Sequence, residues 1–346
     1  MQTKLVNHTL QLGESTLERI AVIRALGGLG DFVCAVPGLR SLRAAFPQAE
    51  IVLISLPSVK PLVKRFNRYL DRLLEFPGFP GLPEQLLQVQ HIPPFLQVVQ
   101  NEQFDLAIQM HGSGTITNPL TVLLGARMNA GFFLPGEYCP DENRFLPYIA
   151  QEPEVRRYVR LMEFLGIPFQ GEELEFPLYE EDKQELNAIA QVHNLTKGEY
   201  VCIHPGASTL TRCWQPEEFA AVADALAELG LRVVFTGSKH EVELCKAVAS
   251  MMKAPSLNLA GYTSLGAMAA LLNDACLLVC NDTGVSHLAA ALRVKSVVIF
   301  TQSDPQRWAP LDRDRHRIVS RATGVTSKAV IAQALDLLRK DDAHVA

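Results

Sequence analysis

The sequence predicts an α/β protein made of two Rossmann-like domains, each a parallel sheet with helices on both faces. Three observations carry this prediction. The chain has 346 residues, more than one ordinary core organises and suited to two. Two stretches open alike, with a short β-branched run entering a glycine-containing loop and then a helical pattern. After each opening, strands alternate with amphipathic helices, which implies parallel pairing and right-handed crossovers.

The first opening is RIAVIRA (19–25), followed by Gly27, Gly28 and Gly30 and a helical pattern from Asp31 to Phe46. Strands are expected near 50–55, 72–76, 104–110 and 129–133. Between the first two of these, Lys60, Lys64 and Arg68 recur at i, i+4 and i+8, opposite Val59, Leu62, Val63 and Phe66. This reads as a solvated face on a core helix that starts near Pro61, or as a basic patch for an anionic acceptor or membrane surface. The stretch 77–95 carries five prolines and is expected to be an irregular loop.

The second opening is YVCIHPGAS (200–208), followed by the helix PEEFAAVADALAELG (216–230). Strands follow at 232–237, 256–260, 276–281 and 296–300. The domain boundary is expected in GIPFQGEELEFPLYEEDKQEL (166–186), rich in Pro, Gly and acids, giving domains over 1–175 and 183–322. The terminal segment TSKAVIAQALDLLRK (326–340) reads as one amphipathic helix with Thr326 or Ser327 as cap.

Composition excludes several classes. Hydrophobic residues make up 48% and charged residues 20%, as in a soluble globular protein, and the net charge of −5 argues against bulk electrostatic binding of nucleic acid. No apolar run reaches the ~18–20 residues that cross a bilayer. The N-terminus, MQTKLVNHTLQLGEST, is polar where a signal peptide is apolar, so the cytoplasm is the expected compartment. Seven scattered cysteines show no ligand spacing and read as small buried thiols, with no disulfide framework and no structural metal.

The most informative segment is CNDTGVSHLAAAL (280–292), which leaves a buried strand through small polar groups and returns at once to an apolar helix. In open parallel sheets, ligands sit outside the carboxyl ends of strands, where helix N-termini offer free N–H groups and partial positive charge. Gly284 lets the backbone approach an anion, Thr283 and Ser286 add hydroxyls, and His287 can turn back over the same spot or bond to Asp282. A diphosphate suits such a place. The alternative is an ordinary helix capped by Asp282 or Thr283.

Two more strand ends join it. HPGASTLTRCWQPEEF (204–219) supplies hydroxyls at Ser208, Thr209 and Thr211 and a planar cation at Arg212. Its plainer reading is a solvent loop with Trp214 in the core. FTGSKHE (235–241) offers Glu241 to ribose hydroxyls, or simply a first-turn carboxylate favoured by the helix dipole. In the first domain, Asp31 follows Gly30 at a helix start, either as a cap or as a carboxylate able to accept a proton from a hydroxyl. His111, after the strand FDLAIQM, faces a binding edge or is structural. GGLGD is not the dinucleotide fingerprint, since Val33 occupies the third glycine position, so a nicotinamide cofactor is not expected.

On these residues the chain resembles the heptosyltransferases of glycosyltransferase family 9. The matching pieces are IAVIRALGGLGDFVCAVPGLRSLRAAFPQAEI (20–51), FDLAIQMHG (104–112), IHPGAS (203–208), TRCW (211–214), FTGSKHE (235–241), TSLGAMAALLNDACLLVCNDTGVSHLAAAL (263–292) and VVIF (297–300). The resemblance implies a GT-B fold, with two Rossmann-like domains facing a central cleft and the last helix crossing back to pack on the first domain. It also implies a nucleotide-diphosphate sugar as co-substrate, ADP-heptose in the well-known members, and inverting transfer without a metal or other cofactor. The acceptor would be a glycan such as lipopolysaccharide core; peripheral contact with the inner membrane is the expectation raised by Lys60, Lys64 and Arg68, not by the resemblance. Asp31 falls on the family's general base, Asp282, Thr283, Gly284 and His287 on its diphosphate motif, Glu241 on its ribose-binding acid and Ser208 on a phosphate contact. The chain departs at Arg212, where well-known members carry Lys. The other classes to weigh are a nucleotide-sugar epimerase of the same architecture and a non-catalytic nucleotide-sugar binder.

Overall fold

The computed structural model describes Leu12 and residues 16–342. Apart from Leu12 and Thr16, the polar N-terminal stretch considered above as a leader lies outside the described residues. The chain divides between Glu173 and Leu174 into two compact units.

The first unit holds strands β1 (Arg19–Ile23), β2 (Glu50–Ser55), β3 (Arg72–Glu75), β4 (Leu106–Gln109), β5 (Met128–Phe133) and β6 (Phe145–Pro147). Its helices are α1 (Leu29–Ala45), α2 (Lys60–Arg65), α3 (Ile92–Asn101), α4 (Thr117–Leu123) and α5 (Glu154–Phe164). The second unit holds β7 (Tyr200–His204), β8 (Arg232–Phe235), β9 (Ser256–Asn258), β10 (Leu277–Asn281), β11 (Ser296–Phe300) and β12 (His316–Ser320). Its helices are α6 (Glu180–His193), α7 (Pro216–Ala227), α8 (Val242–Met251), α9 (Leu265–Asp274), α10 (Gly284–Ala291), α11 (Pro305–Trp308) and α12 (Ser327–Asp342).

Both sheets are parallel throughout, in the orders β3-β2-β1-β4-β5-β6 and β9-β8-β7-β10-β11-β12. This is the doubly wound order 3-2-1-4-5-6 twice over, with the direction of winding reversing between β1 and β4 and between β7 and β10. Central strands are buried on both faces. The consecutive pairs Ile20 and Ala21, Val201 and Cys202, and Leu277 and Leu278, which point to opposite faces, have no exposed surface, which is why these stretches read as continuous apolar runs rather than alternating ones.

Four expectations need correction. Strands β6 and β12 were not anticipated. Phe145–Pro147 is very short and ends in proline, and His316–Ser320 mixes a His and an Arg into an edge strand. The proline-rich stretch 77–95 is irregular only to about residue 88. A 3₁₀ turn (Val89–His91) then leads into α3, with Pro93 and Pro94 in the first turn, where a missing N–H costs nothing. The acids Glu180, Glu181 and Asp182, read as part of a linker, open α6, where the helix dipole favours them.

The fourth concerns the terminal helix, expected to return to the first domain. Helix α12 packs within the second unit, where Val330, Ala334 and Leu337 join the core with Val201, Phe219 and Val297. The Ser327 amide donates to Glu218 on α7 at 2.6 Å, and Lys295 Nζ donates to the Leu337 carbonyl at 2.7 Å. Thr326 is the cap, its hydroxyl accepting from the Ala329 amide at 3.2 Å.

Candidate functional site

In the second unit, β10, β7 and β8 are neighbours and parallel, so their carboxyl ends share one edge. Ligands of open α/β sheets bind at such an edge, where the winding reverses. Asn281, the last residue of β10, has no exposed surface. Its Nδ2 donates to the carbonyls of Pro205 and Gly206 at 2.7 and 3.3 Å, and its Oδ1 accepts the Trp214 amide at 3.1 Å. One side chain thus ties the loops after β7 to the end of β10. Trp214 itself is core, set edge-on to Phe219 at 5.2 Å, as its plainer reading had it.

Asp282 follows and is buried at 4% exposure. Burial pushes its carboxyl above the usual range, opposed by the positive potential of His287 and Arg212. Asp282 and Arg212, on separate loops, are near enough for the guanidinium to act on the carboxyl electrostatically. Thr283 is the N-cap residue of α10 with extended backbone, and Gly284 opens the helix. Thr283 thus occupies the capping position of the plainer reading, though without a side-chain capping bond. Ser286 is not a donor to the site, because its hydroxyl donates to the Thr283 carbonyl at 2.7 Å. His287 is buried against the Trp308 ring at 6.0 Å.

Glu241 takes the helix-start position of its plainer reading. Its Oε2 accepts the Ser238 amide at 2.6 Å in a capping box, while its Oε1 stands 3.8 Å from His204 Nε2. The carboxylate covers Gly206 so closely that a Cβ there would overlap it. His204 is buried, with Nδ1 at 3.1 Å from the Thr236 hydroxyl, and burial lowers its pKa against the raising effect of Glu241. Sequence reading passed over His204, although it opens the HPGAS stretch. Ser208 and Thr209 are exposed on the loop after β7, and the Thr209 and Thr211 hydroxyls pair at 3.2 Å. Arg212 ends a 3₁₀ turn whose position is fixed by the Thr301 hydroxyl donating to the Arg212 carbonyl at 3.0 Å.

In the first unit, the corresponding reversal lies between β1 and β4. The amide of Ala25, beyond β1, donates to His111 Nδ1, beyond β4, at 3.1 Å. Accepting there leaves the neutral ring's proton on Nε2, which stands 3.2 Å from Glu84 Oε1. Burial lowers the His111 pKa, with Glu84 opposing and Arg24 reinforcing the shift. His111 is thus a structural tie at this edge. Asp31 is not a cap: Gly28 holds that position, and Asp31 lies in the first turn of α1 with its side chain 30% exposed. A Cβ on Gly28 would overlap the Asp31 carboxylate, which explains the glycine. Lys60 and Lys64 are exposed on α2, which ends at Arg65, so Arg68 lies past the helix and the predicted stripe is shorter than its spacing implied. No contact among the described residues ties these lysines to Asp31.

Among the described residues, no group of three or more His, Cys, Asp or Glu could hold a metal ion. No helix among them is long and apolar enough to cross a membrane. All seven cysteines are free, four of them buried and three partly exposed.

Known proteins resemble this chain along most of its length. Lipopolysaccharide heptosyltransferase 3 of Escherichia coli is 32% identical over 81% of this chain and 83% of its own. A glycosyltransferase family 9 structure from Veillonella parvula superimposes with a TM-score of 0.77 at 21% identity, over 95% of this chain and 99% of its own. The ADP-heptose lipopolysaccharide heptosyltransferase II of E. coli superimposes with a TM-score of 0.73 at 18% identity, over 94% and 100%. The α/β fold is therefore of the GT-B class. The family model for glycosyltransferase family 9 (heptosyltransferase) matches residues 94–337, and the chain belongs to that family.

Proposed function

We propose that this protein is an inverting, metal-independent transferase that moves a heptose from ADP-heptose to a hydroxyl of a lipopolysaccharide core acceptor. The observation that carries the reading is the grouping of Arg212, Asp282, Thr283 and Gly284 at one sheet edge, at the mouth of α10. The named activities of the relatives supply the sugar and the acceptor class.

In this reading the acceptor oxygen attacks the anomeric carbon from the face opposite ADP. The bond from that carbon to the β-phosphate oxygen breaks, and its electron pair leaves with ADP. Arg212 and the first amides of α10 meet the growing negative charge, which fixed donors do without reorganisation. Ser208 and Thr209 add hydroxyls to the phosphates, His287 supports Asp282, and Glu241 binds the ribose. The acceptor proton passes to Asp31 as general base. Lys60 and Lys64 give the first unit two exposed cations for an anionic acceptor or the surface of the inner membrane.

The test incubates the protein with ADP-heptose, with and without heptose-deficient lipopolysaccharide, and follows ADP release. Release that depends on acceptor, with inverted product by NMR and no loss on adding EDTA, is the expected result. Asp31→Asn lowers kcat by roughly 10²–10⁴-fold. Its ADP affinity, by calorimetry, stays within about threefold, since binding belongs to the other unit. Epimerised donor without release identifies an epimerase instead, and tight ADP binding with no turnover identifies a non-catalytic binder.

A further inference from the structure

Behind Asp31 runs a buried chain of charge that the reaction does not use. Arg24, just past β1, donates through Nη1 to the Met110 carbonyl at 2.6 Å and to the Tyr158 hydroxyl. Through Nη2 it donates to the Asp31 carbonyl at 2.7 Å, and the same nitrogen stands 3.9 Å from Asp31 Oδ1. Its guanidinium also lies over the Tyr158 ring, 4.6 Å from the centroid. The Tyr158 hydroxyl in turn donates to Glu154 Oε1 at 2.6 Å, and Glu154 Oε2 stands 3.3 Å from Arg157 Nε. Arg157 closes the run over the ring of Tyr148 at 4.1 Å. Burial holds the Tyr158 hydroxyl far above its ordinary pKa, so it remains a neutral donor to Glu154.

The exposures show which way the chain faces. The side chains of Arg24, Glu154 and Arg157 are 4%, 3% and 1% exposed, while that of Asp31 is 30% exposed. Two cations and two anions thus balance, and Asp31 is the member that reaches solvent. Gly38 on α1 lets α5 come close, since a Cβ there would stand 3.0 Å from Tyr158 Cβ.

Buried ion networks are poor stability devices, because desolvation offsets the attraction and apolar residues of the same shape do as well or better. Their use lies in fixing position. We propose that Arg24 is a positioning residue for the reaction: braced by Tyr158 and Glu154, it holds the first turn of α1 and the Asp31 carboxylate in place from behind. The carboxylate is confined between the guanidinium on one side and Gly28 on the other. This inference rests on the reading of Asp31 as general base, and its test separates the two.

The experiment is a kinetic double-mutant cycle on the full chain, with ADP-heptose and heptose-deficient lipopolysaccharide. Arg24→Met lowers kcat about 100-fold, as expected for a displaced reacting group, and leaves the donor KM within about threefold. Arg24→Lys, which keeps the charge but not the fork, recovers kcat to within about tenfold of the parent. In an Asp31→Asn background, Arg24→Met changes kcat by less than about threefold, because the group it positions is already disabled. An Arg24→Met effect that is equal in both backgrounds, or that falls on KM and kcat alike, overturns the proposal and leaves Arg24 as packing. Should Arg24→Met fail to fold, Arg24→Lys and Tyr158→Phe carry the same split, with kcat reduced at unchanged KM supporting the brace and unchanged kcat in both overturning it. Near-normal turnover in Asp31→Asn removes the base assignment and the brace with it. Loss of turnover in Asp31→Asn with Arg24 variants at parental kcat removes only the brace.

Discussion

The two units share one strand order and close their winding reversals by opposite means. In the first, the reversal between β1 and β4 is closed by ionisable groups: Arg24 on the Met110 carbonyl, the Ala25 amide on His111, and His111 on Glu84. In the second, the reversal between β7 and β10 is closed by a neutral amide, Asn281, which grips main-chain atoms on both sides. Each edge also carries a glycine whose missing side chain makes room for a carboxylate, Gly28 for Asp31 and Gly206 for Glu241. On the proposed function, the contrast follows from what each edge would have to do. An edge that holds a proton acceptor needs a counter-charge behind it, whereas one that receives a diphosphate needs its cations and amides turned outward, and a neutral tie leaves them unspent.

The sharpest way to break this comparison is to cut the neutral tie. Asn281→Ala leaves the buried Trp214 amide and two carbonyls without their partner, at about 1–3 kcal/mol for each group that stays dry. A loss of roughly 3–4 kcal/mol in denaturant unfolding, with weaker ADP binding by calorimetry, is expected. A loss below about 1 kcal/mol would show that water replaces the amide and that the tie is not structural.

The paired glycines sharpen the comparison by dividing its consequences. In both cases the overlapping atoms belong to the far end of a flexible side chain, so the backbone tolerates alanine and the carboxylate is what moves. Gly28→Ala should lower kcat by about 10- to 100-fold with ADP affinity unchanged, as a shifted base predicts. Gly206→Ala should weaken ADP binding by about tenfold, the loss of one charge-assisted hydrogen bond, and leave the first unit's chemistry alone. The reverse pattern would mean that the two carboxylates have been assigned to the wrong tasks. A smaller effect is expected at the cation of the second edge, where Arg212→Ala loses about five- to tenfold in ADP affinity and Arg212→Lys about half of that in free energy. Unchanged titrations for both would remove Arg212 from the phosphate site.

Much of this was legible in the sequence because it is local. β-branched runs marked the long central strands, and the polar clusters at 31, 208–212, 241 and 282–287 all fall at strand ends or helix starts. The ties were not legible, because their partners are far apart along the chain. Asn281 meets Pro205 and Gly206 across 76 and 75 residues, and Arg24 meets Tyr158 across 134. Nothing local marks Arg24 as buried; Tyr158 on α5 covers its guanidinium from far along the chain. Helix α2 misled for a related reason. The spacing of Lys60, Lys64 and Arg68 continues past Arg65, but the chain turns at Phe66 to bury Phe66 and Leu70 on its way into β3. The terminal helix followed its own apolar face, which the second unit's core covers.

The grip of Asn281 on main-chain atoms alone has an evolutionary corollary. Because it holds Trp214 through the amide and Pro205 and Gly206 through their carbonyls, the anchoring of the loop does not itself depend on the side chains displayed between them. If Arg212 meets the donor as proposed, substitutions at that position could retune donor preference while the scaffold that presents it stays still.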